Sequence, residues 1–221
     1  MESSLSHDRA RRIFVAGSTG ATGRTLLPIA ASLRVDVVPH IRPASARDRE
    51  LPEQAAVLNL SDAKALDAAL TGCTTVIQLI GTMRNRFAQG DTYESSDIGT
   101  TLSLVESAQR CGVDHLVLLS SVGAGKPMGA YLEAKAKAES IVTGSGIDWT
   151  ILRPSSFIGA GHRPPPGMGA MTRLFGMQRF QPIAIEQLAA SILYVAMTGK
   201  GRGEVLEGAS LWRMVEEAAA P

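Results

Sequence analysis

The sequence predicts a doubly wound α/β domain, in which helices cover both faces of a largely parallel sheet. Three observations predict this fold. Short apolar runs alternate with helical patterns between Arg12 and Leu152. The runs are apolar at consecutive positions, as in strands that are buried on both faces of a parallel sheet. A glycine-rich turn separates the first run from the first helix, which is the order found in a βαβ unit.

Four strands are predicted in the first half of the chain, at residues 12–16, 35–41, 55–60 and 75–80. Each run is rich in Val, Ile, Leu or Ala, and the fourth ends at Gly81. Two helices are predicted in the same half, at residues 24–33 and 62–70. This order of strands and helices favours a parallel sheet, because parallel strands need a crossover connection.

The second half continues the alternation with two further helices and two further strands. Residues 97–111 have apolar side chains at helical spacing and end near Gly112, which suits a C-cap. A fifth strand is predicted at 115–119. An Ala-, Lys- and Glu-rich helix at 131–143 then leads to a sixth strand at 149–152.

The remaining residues, 155–221, are predicted to form a small irregular cap over a substrate. Residues 159–169 contain three consecutive prolines and four glycines, and we expect them to form a mobile lid. The last predicted elements are a helix, a short strand and a helix, at 185–197, 204–206 and 210–219. A polar tail at 1–11 precedes a single domain at 12–221, which shows no internal repeat or linker.

Composition and charge exclude several classes of protein. The 221 residues include 22 Lys or Arg and 21 Asp or Glu, which gives a formal net charge of +1. This balance lacks the basic excess of a dedicated nucleic-acid binder. The longest apolar stretch, at 183–197, contains Glu186 and Gln187 and is too short to span a membrane. We therefore expect neither nucleic acid nor membrane as a partner. The polar stretch at 1–12 lacks the apolar segment of a secretory signal, so we predict a cytoplasmic protein.

Cysteine and histidine usage gives no sign of a disulfide framework or a metal site. Cys73 and Cys111 are too few for such a framework and are expected to be small reduced core residues. The four histidines share no metal-ligand spacing, so no metal ligand is predicted.

The glycine-rich turn has the spacing Gly17-x-x-Gly20-x-x-Gly23. Glycine permits a turn tight enough for the backbone to approach a pyrophosphate, whose charge is attracted by the positive N-terminus of the next helix. The usual dinucleotide pattern places its first two glycines one residue apart, so this spacing departs from it. Its position after the first strand nevertheless predicts a nucleotide site. The predicted contacts are Gly17, Thr19, Gly20, Ala21, Thr22 and Gly23.

The end of the second strand indicates which nucleotide is bound. An acidic residue there would bind a ribose 2′-hydroxyl, whereas an arginine would favour a 2′-phosphate. Asp36 opens the strand and so lies at its other end. The carboxyl end consists of His40, Ile41 and Arg42, without a carboxylate. Arg24, just after the third glycine, is a second candidate cation. We therefore predict NADP(H) in preference to NAD(H), with Arg42 as a cofactor contact.

Several other residues lie at the carboxyl ends of predicted strands, where ligands bind to a parallel sheet. We expect them to line the cofactor site, although strand termination alone would also account for them. They are Asn59, Leu60, Gly81, Thr82 and Ser120.

Tyr131 and Lys135 lie four residues apart in a predicted helix and therefore share one face. Reduction of a carbonyl by a nicotinamide hydride needs a proton donor for the developing oxyanion. A phenol can donate that proton, and a nearby ammonium makes it more acidic. We predict Tyr131 as the proton donor, Lys135 as its modulator and ribose anchor, and Ser121 as the group that orients the carbonyl oxygen. The alternative is that Tyr131 is a helix-end aromatic and Lys135 a solvated partner of Glu139.

Four motifs together resemble those of one superfamily over roughly residues 12–208. They are Gly-Ser-Thr-Gly-Ala-Thr-Gly at 17–23, Leu-Ser-Ser at 119–121, Tyr-Leu-Glu-Ala-Lys-Ala-Lys-Ala-Glu at 131–139 and Ile-Leu-Arg-Pro at 151–154. The chain resembles an atypical or extended short-chain dehydrogenase/reductase. Ile80-Gly81-Thr82, Ser-Ser-Val-Gly-Ala and Tyr-Leu-x-x-Lys are most similar to the NmrA-like and Tat-interacting-protein-like oxidoreductases.

The resemblance implies a Rossmann-type fold that binds NAD(P). It also implies that Tyr131 and Lys135 lie in the active site and that Arg153 and Pro154 begin a loop near the nicotinamide. One feature departs from the superfamily: Ser121 precedes Tyr131 by ten residues, which is closer than usual for its serine and tyrosine.

Three functions remain open at this point. The first is hydride transfer between NADP(H) and a small carbonyl, quinone or similar electrophile. The second is a cofactor-sensing regulatory or scaffold protein without turnover. The third is a sugar-nucleotide epimerase, although the 67 residues after Pro154 leave little for a nucleotide-sugar lobe. The predicted loops contain several apolar residues that would suit an apolar small-molecule substrate, a protein partner or a homodimer contact. They are Met168, Met171, Leu174, Phe175 and Phe180.

Overall fold

The computed structural model describes residues 11–47, 50–81, 94–159 and 177–220. Its strands are β1 (Arg12–Ala16), β2 (Asp36–Ile41), β3 (Ala56–Val57), β4 (Thr75–Gln78), β5 (His115–Leu119), β6 (Asp148–Leu152), β7 (Phe157–Ile158), β8 (Ile183–Ala184) and β9 (Glu204–Leu206). Seven of them form a parallel sheet in the order β3-β2-β1-β4-β5-β6-β9. The strands β7 and β8 pair separately as a two-stranded ribbon.

Seven α-helices lie within the described residues. They are α1 (Ala21–Ser32), α2 (Pro43–Ala46), α3 (Ala63–Leu70), α4 (Thr100–Cys111), α5 (Ala130–Thr143), α6 (Ile185–Thr198) and α7 (Ala209–Ala219). A π-helical turn at Glu94–Gly99 precedes α4, and a 3₁₀ turn at Gln178–Phe180 precedes β8. The predicted doubly wound, Rossmann-type α/β fold is therefore confirmed.

Two apolar layers enclose the sheet, because successive side chains of each strand point to opposite faces. In β1, Ile13 and Val15 face a layer formed by α1, α6 and α7. Phe14 and Ala16 face the layer formed by α3, α4 and α5. The consecutive apolar residues that predicted a parallel sheet are explained by this double burial.

Strand and helix ends differ from the predicted ones where the sheet stops. The predicted strand at 55–60 shortens to β3, because β3 is an edge strand and pairs only with His40 and Ile41 of β2. Leu58 and Leu60 are still buried, which explains their apolar character. The predicted helix at 97–111 is helical throughout, but its first residues form the π-helical turn.

The C-terminal third contributes more to the main core than its irregular sequence indicated. β9 pairs with β6 and extends the sheet, and α6 buries Leu188 and Ile192 in the same layer as α1. Within the described residues of the predicted cap, the β7–β8 ribbon does not pair with the main sheet, although Ile183 of β8 is buried in the same core layer. The 3₁₀ turn before β8 is exposed.

Some predicted features fall outside the described residues. They are the tail up to residue 10, Thr82, the lid beyond Gly159, and the apolar residues Met168, Met171, Leu174 and Phe175. In the part of the chain that is described, no helix combines the length and apolarity needed to cross a membrane.

Candidate functional site

The predicted site residues follow strands whose carboxyl ends meet at one edge of the sheet. Gly17 follows β1, Arg42 follows β2, and Ser120 and Arg153 follow β5 and β6. Gly81 lies three residues beyond the end of β4. Because the strands are parallel, this single edge brings together chain segments that are far apart in sequence.

The glycine loop is as tight as its composition predicted. Gly17 has a φ of +89°, and a Cβ at this residue would lie 3.0 Å from the backbone nitrogen of Ile80. The amide of Gly20 donates a hydrogen bond to the Gly17 carbonyl, over 3.0 Å. A Cβ on Gly23 would lie 2.5 Å from that same carbonyl oxygen. The loop can therefore fold back on α1 only because these positions lack side chains.

The N-terminus of α1 is suited to an anion. Its N-cap is Gly20, no side chain of the described residues caps it, and its first turn contains no acidic residue. The first amides of a helix have no partner within the helix, and the helix dipole favours a negative charge there. The backbone of Ala21, Thr22 and Gly23 would hold a pyrophosphate in this cradle. The residues present thus fit a dinucleotide.

Ser18 and His40 connect the glycine loop to the ends of β2 and β3. The Ser18 hydroxyl donates a 2.6 Å hydrogen bond to the His40 carbonyl. The His40 ring nitrogen Nε2 lies 3.0 Å from the carbonyl oxygen of Leu58. Burial lowers the pKa of the His40 imidazole, which favours its neutral form. These contacts fix the strand end from which Arg42 projects.

The second strand carries its charges as the sequence predicted. Asp36 lies at the amino end of β2, 3.7 Å from the Arg12 guanidinium, and therefore at the opposite edge from the glycine loop. Arg42 is half-buried just beyond the carboxyl end and precedes α2. Asn59 is exposed and Leu60 is buried beyond the end of β3.

Lys135 lies at the centre of the site and is almost fully buried. Its ammonium is 3.0 Å from Oδ1 of Asp97 and donates to the Leu119 carbonyl over 3.4 Å. The same ammonium is 6.0 Å from the centre of the Tyr131 ring, one turn earlier in α5. Lys135 is therefore neither solvated nor a partner of Glu139, in contrast to the alternative interpretation of the sequence.

Gly81 joins the glycine loop to Lys135. A Cβ on Gly81 would lie 2.9 Å from the Lys135 ammonium. The residue before it, Ile80, is the one that Gly17 approaches. The cradle at the N-terminus of α1 and the Tyr131–Lys135 pair on α5 therefore line one continuous stretch of the sheet edge.

The two serines after β5 differ in their surroundings. Ser120 is buried and donates a 2.5 Å hydrogen bond to Oε1 of Glu139. Ser121 is half-buried, and its hydroxyl lies 3.4 Å from the Val122 carbonyl. The Val122 amide donates to the Pro154 carbonyl over 2.9 Å, which holds the start of this loop at the end of β6.

Arg153 lies between two carboxylates. Its Nε donates to Glu139 over 2.8 Å, and its Nη1 donates to Glu207 over 3.1 Å. The hydrogen bond with Glu139 raises the pKa of the Arg153 guanidinium. The guanidinium that the resemblance placed near a nicotinamide thus has protein partners on two sides.

Asp97 and Glu207 were missed at the level of sequence. Glu139, one helical turn after Lys135 in the motif at 131–139, was considered only as a solvated partner of that lysine. Asp97 opens a predicted amphipathic helix, but no local signal pairs it with Lys135. Glu207 follows a three-residue strand and carries no local signal. Among the described residues, no three His, Cys, Asp or Glu side chains are grouped so that they could hold a metal ion.

Comparison with known proteins extends these observations. A family model described as NAD(P)H-binding matches residues 17–194, from the first glycine of the loop into α6. The mitochondrial protein FMP52 of Debaryomyces hansenii is 29% identical over 154 residues, which cover 66% of this chain and 66% of that protein. The (4-alkanoyl-5-oxo-2,5-dihydrofuran-3-yl)methyl phosphate reductase of Streptomyces griseus is 27% identical over 199 residues, which cover 86% of this chain.

The chain spans about two thirds of the length of these curated relatives, 66% of the first and 64% of the second. A crystal structure of a short-chain dehydrogenase/reductase superfamily protein from Agrobacterium tumefaciens with bound NAD has the same fold. It superposes with a TM-score of 0.68 at 19% identity, covering 94% of this chain and 81% of that one. The glycine cradle lies within the matched residues 17–194, and the family match covers most of the chain. The chain therefore belongs to the NAD(P)H-binding family.

Proposed function

We propose that the protein is an NADP(H)-dependent oxidoreductase of the short-chain dehydrogenase/reductase type, acting on a small carbonyl, quinone or similar electrophile. One observation carries this proposal: Gly81 lies against the Lys135 ammonium, at the same sheet edge as the glycine loop. A dinucleotide held by that loop would extend along this edge towards Tyr131. The name of the Streptomyces relative, a reductase, supports the same class of reaction.

The residues of α5 would handle the proton of the reaction. The nicotinamide dinucleotide, when bound, supplies the hydride. Tyr131 is 38% exposed, so its phenol can reach a substrate oxygen and donate the proton. Lys135 would hold the ribose and stabilise the tyrosine in its deprotonated form. Ser121 would orient the substrate oxygen, because the hydroxyl of Ser120 already donates to Glu139.

Asp97 makes the buried position of Lys135 tolerable. An isolated ammonium is strongly disfavoured in the protein interior, whereas a paired and hydrogen-bonded one is accepted. The Asp97 carboxylate supplies that pair at 3.0 Å. It also fixes where the ammonium sits relative to Gly81, so we propose that Asp97 positions Lys135 for its role.

The preference for NADP(H) is part of the proposal and is supported by Arg42. It follows β2 directly, at the edge where a ribose 2′-substituent would lie. The acidic residue that would select NAD(H), Asp36, lies at the opposite edge beside Arg12. Arg24, exposed in α1, is a second cation for the same phosphate.

The substrate that we propose is apolar. Ile158, Met177 and Phe180 are exposed on the ribbon and the turn that follow Arg153 and Pro154 in the chain. A protein partner and a homodimer remain predictions. A cytoplasmic location also stays a prediction, and two curated relatives carry the word mitochondrial in their names.

The test is NADPH oxidation with a panel of quinones, aldehydes and ketones, using the wild-type chain and Tyr131→Phe. We expect the substitution to lower turnover at least ~10²-fold while NADPH binding stays nearly unchanged. Tyr194→Phe is a matched control, because Tyr194 also lies near a lysine, with Lys200 Nζ 5.3 Å from its ring, but on α6. Equal turnover of Tyr131→Phe and wild type would remove the proposed role of the tyrosine. NADPH binding without turnover across the whole panel would instead favour a cofactor-sensing regulator.

A further inference from the structure

We propose that Arg153 is a positioning residue rather than a cofactor ligand. Together with Glu139, Glu207 and Arg179 it forms a chain of ion pairs, called here the Arg153 network. We infer that this network holds in position the loop at 121–129, called here the Ser121 loop. It also couples the position of this loop to that of the segment at 177–181. The effect of this network on catalysis rests on the proposed function, whereas the coupling between the two segments does not.

The strongest link of the network is a two-point contact between Arg153 and Glu139. Nε of Arg153 is 2.8 Å from Oε1 of Glu139, and Nη2 is 2.5 Å from Oε2. The two side chains are only 16% and 9% exposed. A bidentate guanidinium–carboxylate pair fixes direction as well as distance, and burial protects it from screening by salt.

Glu139 connects Arg153 to α5 and to the end of β5. It lies on α5 one turn after Lys135, which is held separately by Asp97. Its Oε1 also accepts the hydrogen bond of Ser120 at the end of β5. The orientation of α5 against the strand ends is therefore fixed by two buried carboxylates that come from different elements.

The Ser121 loop rests directly on the guanidinium. A Cβ on Gly125 would lie 2.7 Å from Nη1 of Arg153, so a larger residue here would push the guanidinium away. The loop begins with the hydrogen bond from the Val122 amide to the Pro154 carbonyl, next to Arg153. A shift of the guanidinium would therefore displace the loop that carries Ser121.

Glu207 extends the network to the segment at 177–181. Its Oε2 accepts from Nη1 of Arg153 over 3.1 Å, and its Oε1 pairs with Nε of Arg179. Arg179 belongs to the 3₁₀ turn Gln178–Phe180. The charges alternate along the network, so removal of Glu207 leaves Arg179 and one side of Arg153 without their carboxylate.

The first experiment is amide hydrogen exchange of Glu207→Gln, which leaves the contact between Arg153 and Glu139 in place. We expect exchange to become about tenfold faster in peptides that cover both 121–129 and 177–181, with exchange in β1 and α1 unchanged. Glu217→Gln is the matched control, because it breaks the exposed 2.6 Å pair with Lys200, and neither peptide should change.

Two exchange results would overturn the proposal. Acceleration confined to 177–181 would show that the network does not reach the Ser121 loop. Equal acceleration in β1 would show a general loss of stability instead of a positioning effect. Neither result depends on turnover, so a failure of the proposed function leaves this experiment decisive.

The second experiment is kinetic and uses Arg153→Lys, which keeps the charge but loses the two-point contact. With a substrate that the wild type reduces, we expect kcat to fall about tenfold while the Kd for NADPH stays within about twofold. The opposite split, a Kd raised about tenfold with kcat unchanged, would make Arg153 a cofactor ligand and overturn the proposal. Absence of turnover in the wild type would count against the proposed function alone.

Discussion

The ammonium of Lys135 lies 3.0 Å from the Asp97 carboxylate, and their side chains are only 5% and 1% exposed. Lys135 comes from α5, whereas Asp97 comes from the π-helical turn before α4. Single π-helical turns are rare in proteins and often occur at functional sites. The pair thus connects two helices at the point where the cofactor cradle meets the proposed catalytic tyrosine.

Asp97→Asn should destabilise the protein strongly. Removal of one member of a buried ion pair leaves an uncompensated charge, and we expect the free energy of unfolding to fall by about 3 kcal/mol. The measurement is urea unfolding of Asp97→Asn, Lys135→Met and the double variant. The double variant should be more stable than the sum of the two single effects predicts, by about 1 kcal/mol or more. Additive effects would show that the two side chains do not stabilise each other.

Gly23→Ala should abolish most of the binding of NADPH. The added Cβ would lie 2.5 Å from the Gly17 carbonyl oxygen and 2.6 Å from Ser18 Cα, so the backbone of the cradle must move. We expect the Kd measured by fluorescence titration to rise by about tenfold or more, because the amides no longer converge on the pyrophosphate.

Gly112→Ala is the control for this variant. Gly112 has a left-handed conformation at the end of α4, with a φ of +67°, and a Cβ there would meet no other atom within 4 Å. It should therefore lose stability through backbone strain but keep its affinity for NADPH. A loss of affinity in Gly112→Ala equal to that in Gly23→Ala would indicate that global stability controls binding.

Arg42→Ala should change the choice of cofactor. If Arg42 binds the 2′-phosphate, its loss removes a charge-assisted hydrogen bond and weakens NADPH binding by about tenfold, with little change for NADH. Arg47→Ala, an exposed arginine at the end of α2, serves as the control for general charge effects. Equal weakening of both nucleotides in Arg42→Ala would contradict a contact with the 2′-phosphate.

Features that depend on short stretches of chain were predictable from sequence. The glycine loop is one of them. The positive φ at Gly17 and the close approach of Gly23 to the Gly17 carbonyl both require glycine, and these glycines are visible in the sequence. Tyr131 and Lys135 are another, since one helical turn places them on the same face. Strands such as β5 were found through their apolar residues, which are buried on both faces.

Features that depend on tertiary pairing were not predictable. The sequence offered Glu139 on the same helix as a partner of Lys135 only in the alternative interpretation, whereas the structure pairs Lys135 with Asp97 from the turn before α4. Arg153 and Glu207 are 54 residues apart, and their hydrogen bond exists only because β9 joins the sheet beside β6. No periodicity within a short window can carry information about such contacts.

The stability of the fold should decrease in acid because of His115. This imidazole is fully buried in β5, where Nε2 lies 2.9 Å from the Thr150 hydroxyl and Nδ1 has no partner in the described part of the chain. Burial, assisted by the charge of Arg202, lowers the pKa of His115 from 6.5 to about 4. Between these two values the unfolded chain binds a proton that the folded chain does not.

The free energy of unfolding should therefore be highest above a pH of about 6.5 and should fall as the pH drops towards about 4, by about 3 kcal/mol from this group. His115→Gln keeps a polar side chain near Thr150 but cannot titrate in this range. Urea unfolding at several pH values should show a shallower acid dependence for the variant than for wild type. His40, whose pKa is also lowered by burial, and the carboxylates are common to both chains and cancel in the difference. Parallel pH profiles for the two proteins would show that His115 is not the group responsible.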